Sequence, residues 1–341
     1  MTEHLVLPEV ALQKGALQPM YVPYLREWRE TAIQRADQGD TAASVCHQGA
    51  LVDLVLHGEV RHPWHEIMDE FLTADGKPLA YSKEFGTRLY KFDAQYRQTT
   101  IHAIHTRWWL EQIVKPTTVD HAKFAAMIMS KRQSDGLIYD ADVSPTTLRH
   151  RMKSELMLSS AMSCEILCRA GLLVGSLPLE LATNIVDPRK CPPLGYMSAE
   201  YFRLYALRLL GYLNLFPTGI ADHIDLCATD LEVGWGDFAM QSKVDAYMGT
   251  AKRTRRDKPI HSPLIACYVA YLADTLADAE AQVALRVKVS SYARHLTNFP
   301  NDIPAFQMRD VPISFGAGIT PIEMICASHL IAQYERTGAL T

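Results

Sequence analysis

Apolar positions recur at helical spacing over much of the chain, and the clearest run follows Ser144-Pro145. There Leu148, Met152, Leu156 and Ser159, with Met162 and Ile166 further on, form a stripe on one helical face. A hydroxyl residue followed by proline is a helix start: the side chain accepts an orphan amide and the ring presets φ. The element is expected to end near Gly171. The same start recurs at Ser262-Pro263, ahead of LIACYVAYLADTLADAEA, and at Thr320-Pro321, where Glu323 completes a capping box and a helix is expected to run to about Arg336.

Other segments read as helices with weaker punctuation: 20–36 after Pro23, 48–57, 117–132 and 199–215. Two segments read differently. VALRVKVS at 283–290 alternates apolar and polar residues as a strand does, unless the preceding helix continues through it, and 78–97 around Gly86 suggests a small hairpin. The sum is a predominantly α fold with a minor β component, an α+β chain built on a multi-helix core. An aromatic-rich N-terminal region, 1–139, precedes a helical region, 140–341, either as a separate unit or as part of one core.

Composition supports a folded chain. At 341 residues and 48% hydrophobic it closes a substantial core. No apolar run reaches bilayer-spanning length: YFRLYALRLLGYLNLF at 201–216 is short and carries Arg203 and Arg208. With no secretory pattern in MTEHLVLPEV, the expectation is a cytoplasmic protein without a membrane partner. The seven cysteines, at an odd count and without a CxxC pair, read as buried thiols, with Cys164 and Cys168 on one helix face.

Charge changes the picture locally. The net charge is −4, yet Lys252, Arg253, Arg255, Arg256 and Lys258 crowd into MGTAKRTRRDKPIHSP. Guanidinium forks suit bidentate phosphate contacts and Lys adds less directional charge. A second basic run, LRHRMK, supplies Arg149, Arg151 and Lys153. A third interval, 81–109, mixes Tyr81, Phe85, Tyr90, Phe92, Tyr96, Trp108 and Trp109 with Lys83, Arg88, Lys91, Arg97 and Arg107, a composition that stacks exposed bases while cations hold the backbone. These runs point to a nucleic-acid-binding protein acting within a larger complex, with Trp108 and Trp109 as stacking candidates and RNA or DNA as the partner. Each run also has an ordinary reading as a solvated loop, a polar helix face or core packing. DADVSPTTLRHRMK within 132–154 has the outline of a helix-turn-helix without its scaffold signature. Gly316-Ala317-Gly318 before Thr320 reads as a structural turn, with anion binding as the alternative.

The competing reading is a metal-dependent enzyme. HGEVRHPWHEIMDE at 57–70 holds Glu59, His62, His65 and Glu66 as candidate ligands. Glu59 and His62 have the Glu-x-x-His spacing of carboxylate-bridged metal helices, but a di-iron bundle needs two such elements and Pro63 interrupts this one. ADHIDLCATD at 221–230 adds a second oxygen, nitrogen and sulfur cluster. No nucleophile elbow or catalytic triad stands out, and the sequence names no cofactor.

Overall fold

The computed structural model describes residues 17–71, 79, 82, 101, 104–107, 110, 121–134, 136–138, 153–173, 175–187, 189–190, 207, 210, 215, 263–274, 276, 278–298 and 321–338. These form a short 3-10 turn, Pro19–Tyr21, and the helices α1 (Val22–Asp37), α2 (Ala43–His57), α3 (Trp64–Asp69), α4 (His121–Ser130), α5 (Lys153–Arg169), α6 (Leu177–Val186), α7 (Pro263–Ala273), α8 (Ala279–Asn298) and α9 (Pro321–Thr337). The fold is a multi-helix core. The β component among the described residues is confined to isolated bridge positions: Arg132 pairs antiparallel with Ile138, and Ala42 is a further bridge residue.

Local chemistry explains the boundaries. Pro23 lies in the first turn of α1, where its missing N–H is not needed. Gly58 ends α2 in the left-handed region at φ 76°, with its amide donating to the Leu54 carbonyl at 2.8 Å. Gly171, at φ 70°, follows α5 in the same way and stops it where the apolar stripe predicts. Pro263 and Pro321 are the first residues of α7 and α9, and α9 extends one residue past the expected Arg336. Their partners Ser262 and Thr320, like the start expected at Pro145, lie outside the described residues, as do the 78–97 hairpin apart from Leu79 and Ser82 and most of 199–215.

Two expectations require correction. Residues 283–290 are not a strand: they lie within α8, whose buried face is Leu285, Val289, Tyr292, Ala293 and Leu296. Alternation would put Val283, Leu285, Val287 and Val289 on one side, but the helix turns Val283 and Val287 to solvent, at 59% and 62% exposure. The residues after Pro263 also form two helices rather than one. Asp278 stops the continuity, its carboxylate accepting the amides of Glu280 at 2.9 Å and Ala281 at 3.3 Å as the cap of α8. The helix α6 is an addition to the predicted set, with Pro178 in its first turn and Leu181, Ala182, Ile185 and Val186 buried.

The helices α7, α8 and α9 pack on one another, α5 contacts α4 and α6, and α2 contacts α1, α3 and α9. The larger apolar cluster joins Tyr21, Leu25, Leu51 and Val52 to Ile166 of α5 and Ile185 of α6, and to Leu272, Val289 and Leu330 from α7 to α9, so its members come from both sides of position 139. The amide of Gln18 donates to Ser328 Oγ at 3.1 Å, a tie between the start of the described chain and α9. A second cluster belongs to α1 to α3, with Ala32, Ala50, Trp64 and Met68 at its centre. Gly49 faces the Trp64 ring so closely that a Cβ there would collide with Cε2 and Cζ2. Cys46, Cys164, Cys267 and Cys326 are buried free thiols and Cys168 is half-buried; the Cys164 and Cys168 sulfurs lie 4.0 Å apart on one face of α5. Among the described residues no helix is long and apolar enough to cross a membrane.

Candidate functional site

Asp53 occupies the middle of an otherwise apolar helical run, ALVDLVLH, and is completely buried. A buried carboxylate survives only where donors replace its water. Here Arg29 on α1 donates its Nε to Oδ1, while Oδ2 accepts the amides of Arg61 at 3.0 Å and His62 at 3.1 Å and the Trp64 indole N–H at 3.1 Å. Burial pushes this carboxyl up, but the hydrogen bonds from Arg29, His62, Arg61 and Trp64 outweigh it and hold Asp53 below the ordinary carboxylate range. One side chain thereby fixes the α1–α2 crossing, the turn from 58 to 63 and the head of α3.

Cations and carboxylates both surround this hub. Arg26 and Arg29 are one turn apart on α1, and His57 follows Asp53 by one turn on α2. Arg61 reaches out from the turn, and its Nε meets Glu59 at 3.2 Å in an exposed pair. Burial first, then the cations Arg61, Arg29 and Arg26, against the opposing influence of Asp53, push the His57 imidazole below its usual range. His57 is therefore mainly neutral near pH 7. His62 is also pushed down, by burial and secondarily by Arg29, against Asp37 and Asp53; its ring lies edge-on to Trp64 with centroids 4.5 Å apart.

A second buried polar pair lies deeper. His105 Nε2 is 2.7 Å from Glu165 Oε2 on α5, and both residues are almost fully buried. Further back along α5, Ser159 and Ser160 bind the Ile138 backbone: Ser159 Oγ donates to its carbonyl at 2.9 Å and its amide donates to Ser160 Oγ at 3.0 Å. These contacts fasten the segment after α4 onto α5.

The four candidate metal ligands do not come together. Glu59 pairs with Arg61, His62 Nε2 lies 3.9 Å from Asp37, and His65 Nε2 is 3.7 Å from its neighbour Glu66. Because α2 ends at His57 and α3 begins at Trp64, Glu59 and His62 share no helical face and their spacing loses its meaning as a helix motif. Among the described residues no group of three or more His, Cys, Asp or Glu side chains is arranged to hold a metal ion.

Of the nucleic-acid candidates, Lys153 is the first described residue of α5. Arg149, Arg151, Trp108, Trp109, Lys252, Arg253, Arg255, Arg256 and Lys258 lie outside the described residues, as do 221–230 and 316–320. Arg107, from the aromatic interval, forms an ion pair with Asp69. The residues that sequence reasoning passed over are Asp53 and Arg29. The signal was a single acidic residue flanked by Leu51, Val52, Leu54, Val55 and Leu56, since a charge at such a position must be met by a partner.

Comparison with protein-family models, curated proteins and solved structures finds no match to this chain.

Proposed function

We propose that the protein binds nucleic acid, RNA or DNA, through basic surface segments, in the cytoplasm and within a larger complex. The observation that carries this reading is the density of phosphate-compatible donors at 252–258, five cations within a chain of net charge −4. Charge placed against the overall balance marks a local anionic partner better than the same residues in a uniformly basic chain. In sequence, LRHRMK ends at Lys153, the first residue of α5, and the 252–258 run comes a few residues before Pro263, the first residue of α7. Recognition of backbone and shape, with bases stacked on Trp108 or Trp109, fits this composition better than readout of base edges in a duplex groove.

A salt titration tests the reading. If the five cations at 252–258 neutralise phosphates of a single strand, a fourfold rise in salt weakens binding about a hundredfold. Combining Arg255→Glu with Arg256→Glu lowers the slope of log affinity against log salt by ~1 to 2. Binding that ignores salt, or a slope that the double reversal leaves unchanged, removes the assignment.

A further inference from the structure

Two thiols on α5 stand apart from the basic runs and from the Asp53 hub. Cys164 and Cys168 are four residues apart, their sulfurs lie 4.0 Å from each other, and neither is in a disulfide. Cys164 is completely buried in the main apolar cluster, whereas Cys168, one residue before the end of the helix, is half-buried and gives the pair its approach from outside. The hydrogen bond with Cys168 first, then burial, then the charges of Cys168 and Glu165 push the Cys164 thiol well above its ordinary range, so it keeps its proton. Glu165 is turned to His105 at 2.7 Å, and among the described residues no third His, Cys, Asp or Glu completes a metal-holding group with the two sulfurs.

Geometry and charge separate what such a pair can hold. A disulfide needs Cβ atoms ~3.8 Å apart. Residues four apart on a helix hold theirs about 5–6 Å apart, so closing that bond would break the last turn of α5. A two-coordinate soft cation spans the gap, but it displaces both thiol protons and leaves one net negative charge beside Glu165 in an apolar interior. A trivalent centre that keeps a substituent of its own also spans the gap. It leaves no charge, because each thiol proton departs on a hydroxyl as water, and it needs only two protein donors.

We propose that Cys164 and Cys168 form a dithiol binding site for trivalent arsenic compounds of the arsenous-acid class, X–As(OH)2. The site is independent of the nucleic-acid function proposed above. Cys168 reacts first, forming one S–As bond as one As–O bond breaks and a water leaves; Cys164, 4.0 Å away, displaces the second hydroxyl in the same way. Two S–As bonds replace two As–O bonds, and neither arsenic nor sulfur changes oxidation state. The second step is intramolecular on a preformed helix face, so the chelate holds far more tightly than either thiol alone.

The probe is phenylarsine oxide, which hydrates to this class, added at one equivalent to the reduced full chain and followed by intact mass and peptide mapping. One phenylarsenic group is expected on the tryptic peptide 154–169, which carries both cysteines. It should survive a large excess of a monothiol, leave on addition of a dithiol, and preserve the helical far-UV signal and the cooperative melt. Cys168→Ala and Cys164→Ser should each weaken retention against monothiol at least ~100-fold. Cys168→Ala, at the half-buried position, decides the matter if Cys164→Ser fails to fold. Retention unchanged in Cys168→Ala, arsenic mapped to other cysteines, or capture only as the helical signal is lost overturns the site. So does a pair that refuses phenylarsine oxide while taking up silver(I), or while closing a disulfide under peroxide.

Discussion

Asp53 gathers α1, the turn after α2 and the head of α3 around one carboxylate, whereas α7, α8 and α9 meet through Leu272, Leu285, Val289, Leu296, Ile325 and Leu330. The two ends of the chain use the same secondary structure and different cements. In α9 the buried carboxylate, Glu323, lies in the first helical turn, where the helix dipole favours negative charge; in α2 the buried carboxylate lies mid-helix and depends on donors brought from elsewhere in the chain. Apolar stripes respond to substitution in proportion to the volume removed. A charged hub responds through the group left behind, because a partner stripped of its counter-charge stays buried.

The largest effect is therefore expected at the hub. Asp53→Ala leaves the Arg29 guanidinium, whose side chain is only 18% exposed, without its anion and frees two amides and an indole N–H, and is expected to cost about 3–5 kcal/mol in urea unfolding. Acid tests the same carboxylate. Since the folded Asp53 carboxyl lies below its unfolded range near ~4, its contribution is fully present above that range and is lost as pH falls through the folded value. The urea midpoint of wild type should drop more steeply below pH ~4 than that of Asp53→Asn. Parallel curves for the two proteins would show that the carboxylate does not hold this end together.

A smaller loss is expected from packing in the same region. Gly49→Ala drives a methyl group into the Trp64 ring, and since Trp64 is fully buried and bonded to Asp53 it has little room to turn, giving a cost of about 1–3 kcal/mol. A thermal melt with Trp fluorescence reads both the stability and the displaced indole. An unchanged melt would mean that the second cluster repacks freely, as a loosely held surface does.

The smallest effect lies at the other end of the molecule. Val283→Lys and Val287→Lys should each change stability by less than about 0.5 kcal/mol, because both face solvent on α8. Leu285→Lys, two residues from either, should prevent cooperative unfolding because Leu285 is buried. Equal sensitivity at the three positions would contradict the helical register and restore the alternation read from VALRVKVS.

That segment also shows where local pattern misleads. Four apolar residues at alternate positions satisfy a strand over eight residues, and only the longer window that includes Tyr292, Ala293 and Leu296 favours the 3.6-residue period. Helix ends were more legible. Gly58, Gly171, Pro263 and Pro321 act through their own φ preference or missing amide, so their effect is carried in the letters themselves. The stop at Asp278 was equally local and shows the same capping chemistry without a proline to mark it.

Neighbouring residues alone set the helical class of this protein, the helix ends at Gly58 and Gly171, the helix starts at Pro263 and Pro321, and the concentration of positive charge at 148–153 and 252–258, because propensity, capping and charge act over a few positions. It took the packing of the helices to bring Asp53 to Arg29 across 24 positions and to the Trp64 indole across 11, to bring His105 to Glu165 across 60, and to turn Glu59 and His62 to different partners. The physical reason is desolvation. A charge selects its partner only when the rest of the chain has removed its water, and which surfaces are covered is set by how the helices cross rather than by the order of residues along any one of them.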